Sequence, residues 1–369
     1  MALRAVAEVN LAAIERNVRT LGQRLGAATL CAVVKADAYG HGAAPVARAA
    51  LGAGARQLAV ATAGEAAELR AAGITAPVLV MGALGPEELA TALEAEAEIV
   101  AWDRRFLEDL AARARTPVRV HVKLDSGMGR LGTRDTAAAT RVVQAIQTSP
   151  GLILAGLMTH FATSDGDIEF AAEQLRTFRA WADGAAPPSV PRHAANSGAV
   201  LHLPAAHLDM ARCGIALYGG DPASVDPDPF GLEPALALRS YVAAVKPILP
   251  GQSAGYGRRF IAGVPTYLAT LPIGYGDGLG RALTNNCDVL IGGRRYPLVG
   301  TVSMDNITVD VGPEPTVRVG ETATLIGRDG DERQTAEDLA RRVGTINYEV
   351  LCAISARVPR RWHRDGAPA

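Results

Sequence analysis

The chain has 369 residues, 49% apolar and 20% charged, with a formal net charge of −1 and a pI near 6.7. That is enough for about two domains, or one large barrel plus an addition. No basic run or stripe is present, and no apolar run approaches the ~18 residues that span a bilayer, which argues against nucleic acid and membrane as partners.

The start, Met1 to Glu8, is broken by charge and has no secretory h-region, so a cytoplasmic protein is expected. Cys31, Cys213, Cys287 and Cys352 lie far apart without a C-x-x-C, which predicts buried free thiols, no disulfide and no metal site.

In chain order, 11–26 reads as a helix, with Leu11, Ile14, Val18, Leu21 and Leu25 on one face. Short apolar strands follow near 30–35, 57–61, 77–81, 97–101, 118–124, 152–159, 190–195 and 207–212. Helical segments separate them at 44–54, 64–72, 86–94, 103–114, 135–148, 168–183 and about 197–202. Alternating strands and helices imply βαβ units and a parallel sheet. Eight units in about 200 residues predict an α/β chain opening with a (β/α)8 TIM-type barrel. A doubly wound open sheet is the alternative, but it calls for a glycine-rich nucleotide fingerprint after an early strand, and none is present.

From about 233 the rhythm changes to short β-rich runs at 236–249, 266–271, 287–291, 295–300, 306–311 and 322–326. This predicts a barrel over 1–232 and a mainly β domain over 233–369, with residues about 4–10 pairing with the β domain. Pro222 to Pro229 is the linker. Only 334–343 reads as helical there, with Thr335 as N-cap. The tail from Arg364 is expected to fray.

A barrel places its working residues where strands end. Lys35 ends the first strand, in Val33-Val34-Lys35-Ala36-Asp37-Ala38-Tyr39-Gly40-His41-Gly42. Of 37 Lys+Arg only Lys35, Lys123 and Lys246 are lysine. A lysine kept in so arginine-rich a chain points to a task arginine cannot do: losing its proton and attacking a carbonyl. Lys123 to Arg130, Thr159-His160, Asn196-Ser197-Gly198 and Arg212-Cys213-Gly214-Ile215 follow later strands on the same rim. Loops after the seventh and eighth strands commonly hold phosphate on backbone amides, and Ser197 and Gly214-Ile215 are placed for that. A carbonyl-reactive lysine beside a phosphate site suggests either a sugar phosphate or pyridoxal phosphate. The second needs a partner for its ring nitrogen, and Arg212 is placed to be one. Lys123 and Arg130 are two cations in one loop; a carbamate on Lys123 would turn repulsion into pairing.

Together the ordered motifs AVVKADAYGHG, KLDSGMGRLG, MTHFATSD, NSGA, RCGIALYG, GYG, PIGYGDG, SMDN and TINYE resemble those of the alanine racemases, pyridoxal-phosphate enzymes of fold type III. The likeness runs from Glu8-Val9-Asn10 to about Arg360. It implies a two-base racemisation of L- and D-alanine that supplies peptidoglycan, in a homodimer with shared active sites. Lys35 would hold pyridoxal 5'-phosphate and act as one base. Tyr256 of the other subunit would be the second, with His160 between it and Arg212. Tyr39, Asn196, Ser197, Gly214, Ile215 and Tyr348 would hold the cofactor with Arg212 on its ring nitrogen. Arg130 would meet the phenolic oxygen and the substrate carboxylate. Met304, Asp305 and Tyr275 would contact substrate or its access corridor, and Lys123 would be the carbamylated lysine.

Ser303, Gly276 and Asn10 depart from the commoner Cys, Ala and Asp. None is a proposed base, so they bear on substrate preference. A serine or broad-specificity racemase and a fold-type-III decarboxylase are the alternatives. A non-catalytic pyridoxal-phosphate barrel would lack residues 233–369.

Overall fold

Strand β1 (Ala5–Asn10) runs straight into the first helix (Leu11–Leu25), and Asn10 makes the junction. Its side-chain oxygen accepts from the Ala12 amide at 3.1 Å, capping the helix. Its Nδ2 donates to Asp365 at 2.9 Å, a bond that Asp at this position could not donate. The computed structural model describes residues 3–314 and 316–369.

Eight parallel strands follow: β2 (Thr29–Val33), β3 (Gln57–Val60), β4 (Val78–Val80), β5 (Glu98–Ala101), β6 (Val118–Lys123), β7 (Leu152–Met158), β8 (Arg192–His193) and β9 (Met210–Cys213). They pair in the order β8-β7-β6-β5-β4-β3-β2-β9. The Arg212 amide donates to Ala195 O at 2.9 Å and the Asp209 amide to Arg192 O at 3.1 Å, which joins the two ends into a barrel. Near-continuous apolar strands such as Val78–Val80 are buried on both faces, as a parallel sheet under helices requires. Thr62, Asp103, Asp135 and Asp167 each accept an amide at the start of an outer helix. The expected barrel is therefore present.

The rest is mainly β. It comprises β10 (Leu236–Tyr241), β11 (Ala244–Ile248), β12 (Ser253–Ala254), β13 (Phe260–Ile261), β14 (Thr266–Leu271), β15 (Asp288–Ile291), β16 (Arg294–Val299), β17 (Ile307–Gly312), β18 (Thr322–Asp329), β19 (Glu332–Gln334), β20 (Arg360–Arg364) and β21 (Ala367–Pro368). The large sheet runs β11-β14-β17-β16-β15-β18-β10-β1-β20-β21, with β19 on β18; β12 and β13 form a separate hairpin. Strand β1 lies between β10 and β20, so the N-terminus belongs to this sheet while the helix after it packs on the barrel. Among the described residues no helix is long and apolar enough to cross a membrane.

Gly219 marks where the chain leaves the barrel. Its φ is +76°, and a Cβ there would sit 1.8 Å from Glu233 O, a backbone atom that cannot swing away. Gly219→Ala is expected to destabilise the fold by roughly 3 kcal/mol or more, read as a lowered midpoint in urea.

Four details differ from the sequence reading. Residues 236–249 form two strands, because the chain leaves β1 and β18 at Val242 and joins β14. A second helix (Asn347–Cys352) follows Ala336–Val343; Asn347 is fixed by the Asp221 carbonyl and Glu337, contacts far away in sequence. Cys352, at the end of that helix, is exposed, so only Cys31, Cys213 and Cys287 are buried thiols. The tail does not fray: β20 and β21 form a hairpin, with Arg16 ion-paired to Asp365 at 2.8 Å.

Candidate active site

After β2 the backbone enters a conformation L-residues avoid. Ala36, Asp37, Ala38 and Tyr39 all have φ between +51° and +56°, one left-handed helical turn. Such a turn costs roughly 1–2 kcal/mol per residue, so the surroundings must impose it. Glu65 accepts the Ala36 amide at 2.6 Å and the Ala61 amide at 2.7 Å, and Asp37 Oδ1 accepts the Ala43 amide at 2.7 Å. The turn leaves Lys35 half-buried and swings Tyr39 inside. Burial first, then the nearby charge of Arg130, push the Lys35 ammonium below its ordinary pKa, which favours the free amine.

Lys123 ends β6 and is buried. Desolvation, then Arg212 and Arg130, bring it down to about 8. Asp125 is engaged by the amides of Gly127, Met128 and Gly129 and by Arg134, not by Arg130. Lys35, Lys123, Arg130 and Arg212 thus gather on one electropositive rim, which suits an anionic ligand.

Arg212, on β9, is buried. Its Nη1 donates to His193 Nδ1 (2.7 Å) and His193 O (3.1 Å). Its Nη2 donates to Thr159 O (2.7 Å), Ala194 O (3.2 Å) and His160 Nδ1 (3.2 Å). Its Nε is buried with no partner among the described residues. Burial lowers its pKa to about 10, so it remains a cation at neutral pH. An arginine only donates, so His160 accepts at Nδ1 and its proton is at Nε2. Burial and the Arg212 charge push the His160 pKa well below its ordinary value, so the ring is neutral.

On the far side of the rim, Ser197 Oγ accepts the amides of Gly214 (2.9 Å) and Ala216 (3.3 Å). A Cβ on Gly214 would lie 2.3 Å from Tyr39 Oη, so only glycine lets the phenol reach this loop. Ile215 opens the turn Ile215–Tyr218. Tyr39 packs on Tyr218 and faces Tyr348 with ring centroids 6.1 Å apart. Burial raises both phenols, Tyr39 and Tyr348, so each stays a neutral donor. Asn196 Oδ1 is committed to capping the helix Ser197–His202 and accepting from Ser164.

The remaining candidates lie apart. Tyr256 is 74% exposed on the β domain, its carbonyl held by Thr301. Met304 is 50% and Tyr275 43% exposed. Tyr275 and Gly276 donate to Ser303 O and Met304 O, so these two loops form one unit. Buried Asp277 takes both Nη atoms of Arg4 at 2.6 and 2.9 Å, and Asp305 pairs with Arg357 at 2.6 Å. A Cβ on Gly276 would meet Arg357 Nη1 at 2.4 Å and Met304 O at 3.1 Å, so alanine there calls for a shift of the flexible Arg357 side chain. One chain therefore brings Lys35, Tyr39, Lys123, Arg130, His160, Ser197, Arg212, Gly214 and Tyr348 to one rim. It presents Tyr256, Tyr275, Met304 and Asp305 on a separate, outward face. A cavity of about 670 Å³ opens elsewhere, between Tyr218, Glu233, Arg239 and Arg333; none of the rim residues Lys35, Arg130, Ser197 and Arg212 lines it.

Glu98, His121 and His193, buried beneath the rim, were not singled out from the sequence. The signal was a charged or imidazole residue inside an apolar strand, as in Val118-Arg119-Val120-His121-Val122.

Residues 9–222 match the family model for the alanine racemase N-terminal domain, and 235–362 the model for its C-terminal domain. The chain belongs to the alanine racemase family. It is 41% identical to "Alanine racemase 2" of Caldanaerobacter subterraneus subsp. tengcongensis, over 96% of this chain and 93% of that protein. It is 42% identical to the alanine racemase of Geobacillus kaustophilus, over 97% and 94%. The crystal structure of alanine racemase from E. faecalis superposes with a TM-score of 0.93 at 34% identity, over 97% of this chain and 98% of that one. As a member of this family the chain is an isomerase, an amino-acid racemase.

The family works with pyridoxal phosphate, and the rim fits that group. A pyridine nitrogen offers one in-plane lone pair, which is what the unpartnered Nε–H of Arg212 lacks. Ser197 Oγ–H and Tyr39 Oη–H offer neutral donors and Gly214 close backbone approach for a phosphate, and the rim charge suits its dianion.

Proposed function

We propose that this racemase interconverts L-alanine and D-alanine in the cytoplasm, supplying D-alanine for peptidoglycan. It works with pyridoxal 5'-phosphate in a homodimer whose active sites each draw on both subunits. The barrel, 1–232, would hold the cofactor, and 233–369 would supply residues to the partner's site. The buried, unpartnered Arg212 Nε on the rim that carries Lys35 is the observation that carries this reading.

Lys35 would hold the cofactor through Nζ. Tyr39, Ser197, Gly214, Ile215 and Tyr348 would take its phosphate end, Asn196 would join the cofactor-binding set, and Arg212 would meet its ring nitrogen. When bound, the cofactor supplies an electron sink that makes the substrate Cα–H acidic. Arg212 keeps its proton and would leave a ring nitrogen facing it unprotonated, which would suit brief deprotonation rather than transamination. Arg130 orients the substrate carboxylate. Lys35 Nζ, its pKa lowered by burial, exchanges the Cα proton on one face. Tyr256 of the partner subunit exchanges it on the other, with Nε2–H of His160 as donor to its oxygen. Its exposure in one chain supports this sharing, as does the outward face of Met304, Asp305 and Tyr275. A base working near neutral pH needs its pKa drawn down from ~10, and for Lys35 burial and the Arg130 charge act in that direction.

Lys123 would carry a carbamate: its neutral amine adds carbon dioxide and releases one proton, leaving an anion for Arg130. A pKa of about 8 makes the amine available. With ¹³C-labelled bicarbonate, a carbamate carbonyl resonance is expected in the wild type, stronger as pH rises toward 8, and missing in Lys123→Ala. Lys123→Ala should also lower kcat/KM about tenfold.

The test is L-alanine incubated with purified protein and pyridoxal phosphate, followed by chiral chromatography, with L-serine and L-lysine in parallel. D-Alanine appearing fastest is expected. D-Serine fastest would move the substrate assignment, and carbon dioxide with an amine would replace racemisation by decarboxylation.

A further inference from the structure

Beneath the rim a file of polar side chains crosses the barrel interior. Glu98 opens β5. Its Oε2 accepts from Gln57 Nε2 (2.6 Å) and His121 Nε2 (2.7 Å), and its Oε1 from Arg119 Nε (2.5 Å). His121 Nδ1 lies 2.9 Å from His193 Nε2, and His193 Nδ1 lies 2.7 Å from Arg212 Nη1. Glu98, His121, His193 and Arg212 are all buried. The backbone makes room for them. A register shift between Val120 and His121 sets His121 opposite Gly156 of β7. A Cβ at Gly156 would stand 2.5 Å from His121 Nδ1 and 3.2 Å from His193 Nε2.

The donor sense of this file is fixed from one end. Arginine can only donate, so His193 Nδ1 accepts and its proton lies on Nε2. That proton faces His121 Nδ1, which must accept, leaving the His121 proton on Nε2 to be donated to Glu98. We infer that Glu98, His121 and His193 form a one-way relay of neutral imidazoles that orients Arg212 and keeps its counter-charge three hydrogen bonds away. They are positioning residues, and this rests on the reading of Arg212 as partner of the cofactor's ring nitrogen.

The separation has a use. A carboxylate directly on Arg212 would neutralise it at the rim. An imidazole polarised by a distant carboxylate is a strong acceptor, and it leaves the full positive charge facing the ligand. Burial and the Arg212 charge push the His193 pKa well below its ordinary value, in keeping with a neutral ring. Burial alone would raise the Glu98 carboxyl, but the hydrogen bonds it accepts from His121 and Arg119, with the Arg119 charge, outweigh burial and keep it a carboxylate.

The test is ¹⁵N NMR of the full chain labelled at its 7 histidines, with and without pyridoxal phosphate. In the wild type, His121 and His193 are expected to be neutral and protonated at Nε2. Glu98→Gln keeps an acceptor oxygen and should preserve both tautomers. Glu98→Leu removes it: Arg212 still holds both tautomers, but the His121 Nε2–H should lose its hydrogen bond, read as an upfield shift of that proton and of its nitrogen, with a smaller shift passed on to His193. The same change should lower kcat about ten- to a hundredfold with KM within about twofold, and Glu98→Gln should recover most of that loss. A wild-type His193 protonated at Nδ1, or an imidazolium at either position, overturns the relay even if Glu98→Leu fails to fold. A His121 Nε2–H resonance indifferent to Glu98→Leu overturns it as well, because that proton would then not be given to Glu98. Correct tautomers in a protein without racemase activity would leave the relay standing and sink the cofactor reading of Arg212.

Discussion

Lys35→Ala should abolish racemisation, with D-alanine formation from L-alanine falling roughly 10⁴-fold or more. The cofactor should then wash out, because its covalent anchor is gone. Lys35→Arg should do no better: a guanidinium keeps its proton and can neither anchor the carbonyl nor take a proton from Cα. Lys246→Ala is the control. That lysine is exposed on β11, outside the rim, and its loss should leave turnover within about twofold. The three substitutions turn an oddity of composition into an experiment. A chain with 37 Lys+Arg keeps lysine at only three positions, and two of them, Lys35 and Lys123, stand on one barrel rim with pKa values lowered by burial. Chiral chromatography at matched protein concentration reads all three.

Tyr256→Phe should break the reaction on one side only. Net racemisation is expected to fall about 10³-fold, the scale of losing one general base. In deuterated water the Cα–H of one enantiomer should still exchange, because Lys35 serves that face, while the other enantiomer stops exchanging. His160 is already set for the missing partner. Its Nδ1 is taken by Arg212, its ring is neutral, and only Nε2–H is left to give. Exchange that remained normal for both enantiomers would remove Tyr256 from the mechanism.

Much of this was legible before the structure. The eight-strand rhythm and the clusters at strand ends follow from hydrophobic periodicity. Lys35 and Arg212 stand out because their chemistry is rare in their setting. What periodicity could not show is anything fixed by long-range pairing. The helix Asn347–Cys352 depends on Asp221 and Glu337, and its last turn leaves Cys352 exposed rather than buried. The tail hairpin depends on Arg16 reaching Asp365, across nearly the whole chain. The split of 236–249 into β10 and β11 reflects two different partners, β1 and β14, and no local signal marks it. Glu98, His121 and His193 escaped for another reason. Each alone is an ordinary polar residue in a strand, and only barrel closure and the clearance at Gly156 set them in file.

The separation of Lys35 from Tyr256 within one chain is the point on which the account turns, and mixing two inactive variants tests it. Lys35→Ala and Tyr256→Phe proteins, unfolded together in equal amounts and refolded, would give half heterodimers, each with one intact site of two. About a quarter of wild-type activity should return from two proteins that have none alone. If activity stays at the level of the separate variants while heterodimers are present, the two bases belong to one chain and the shared-site account is wrong.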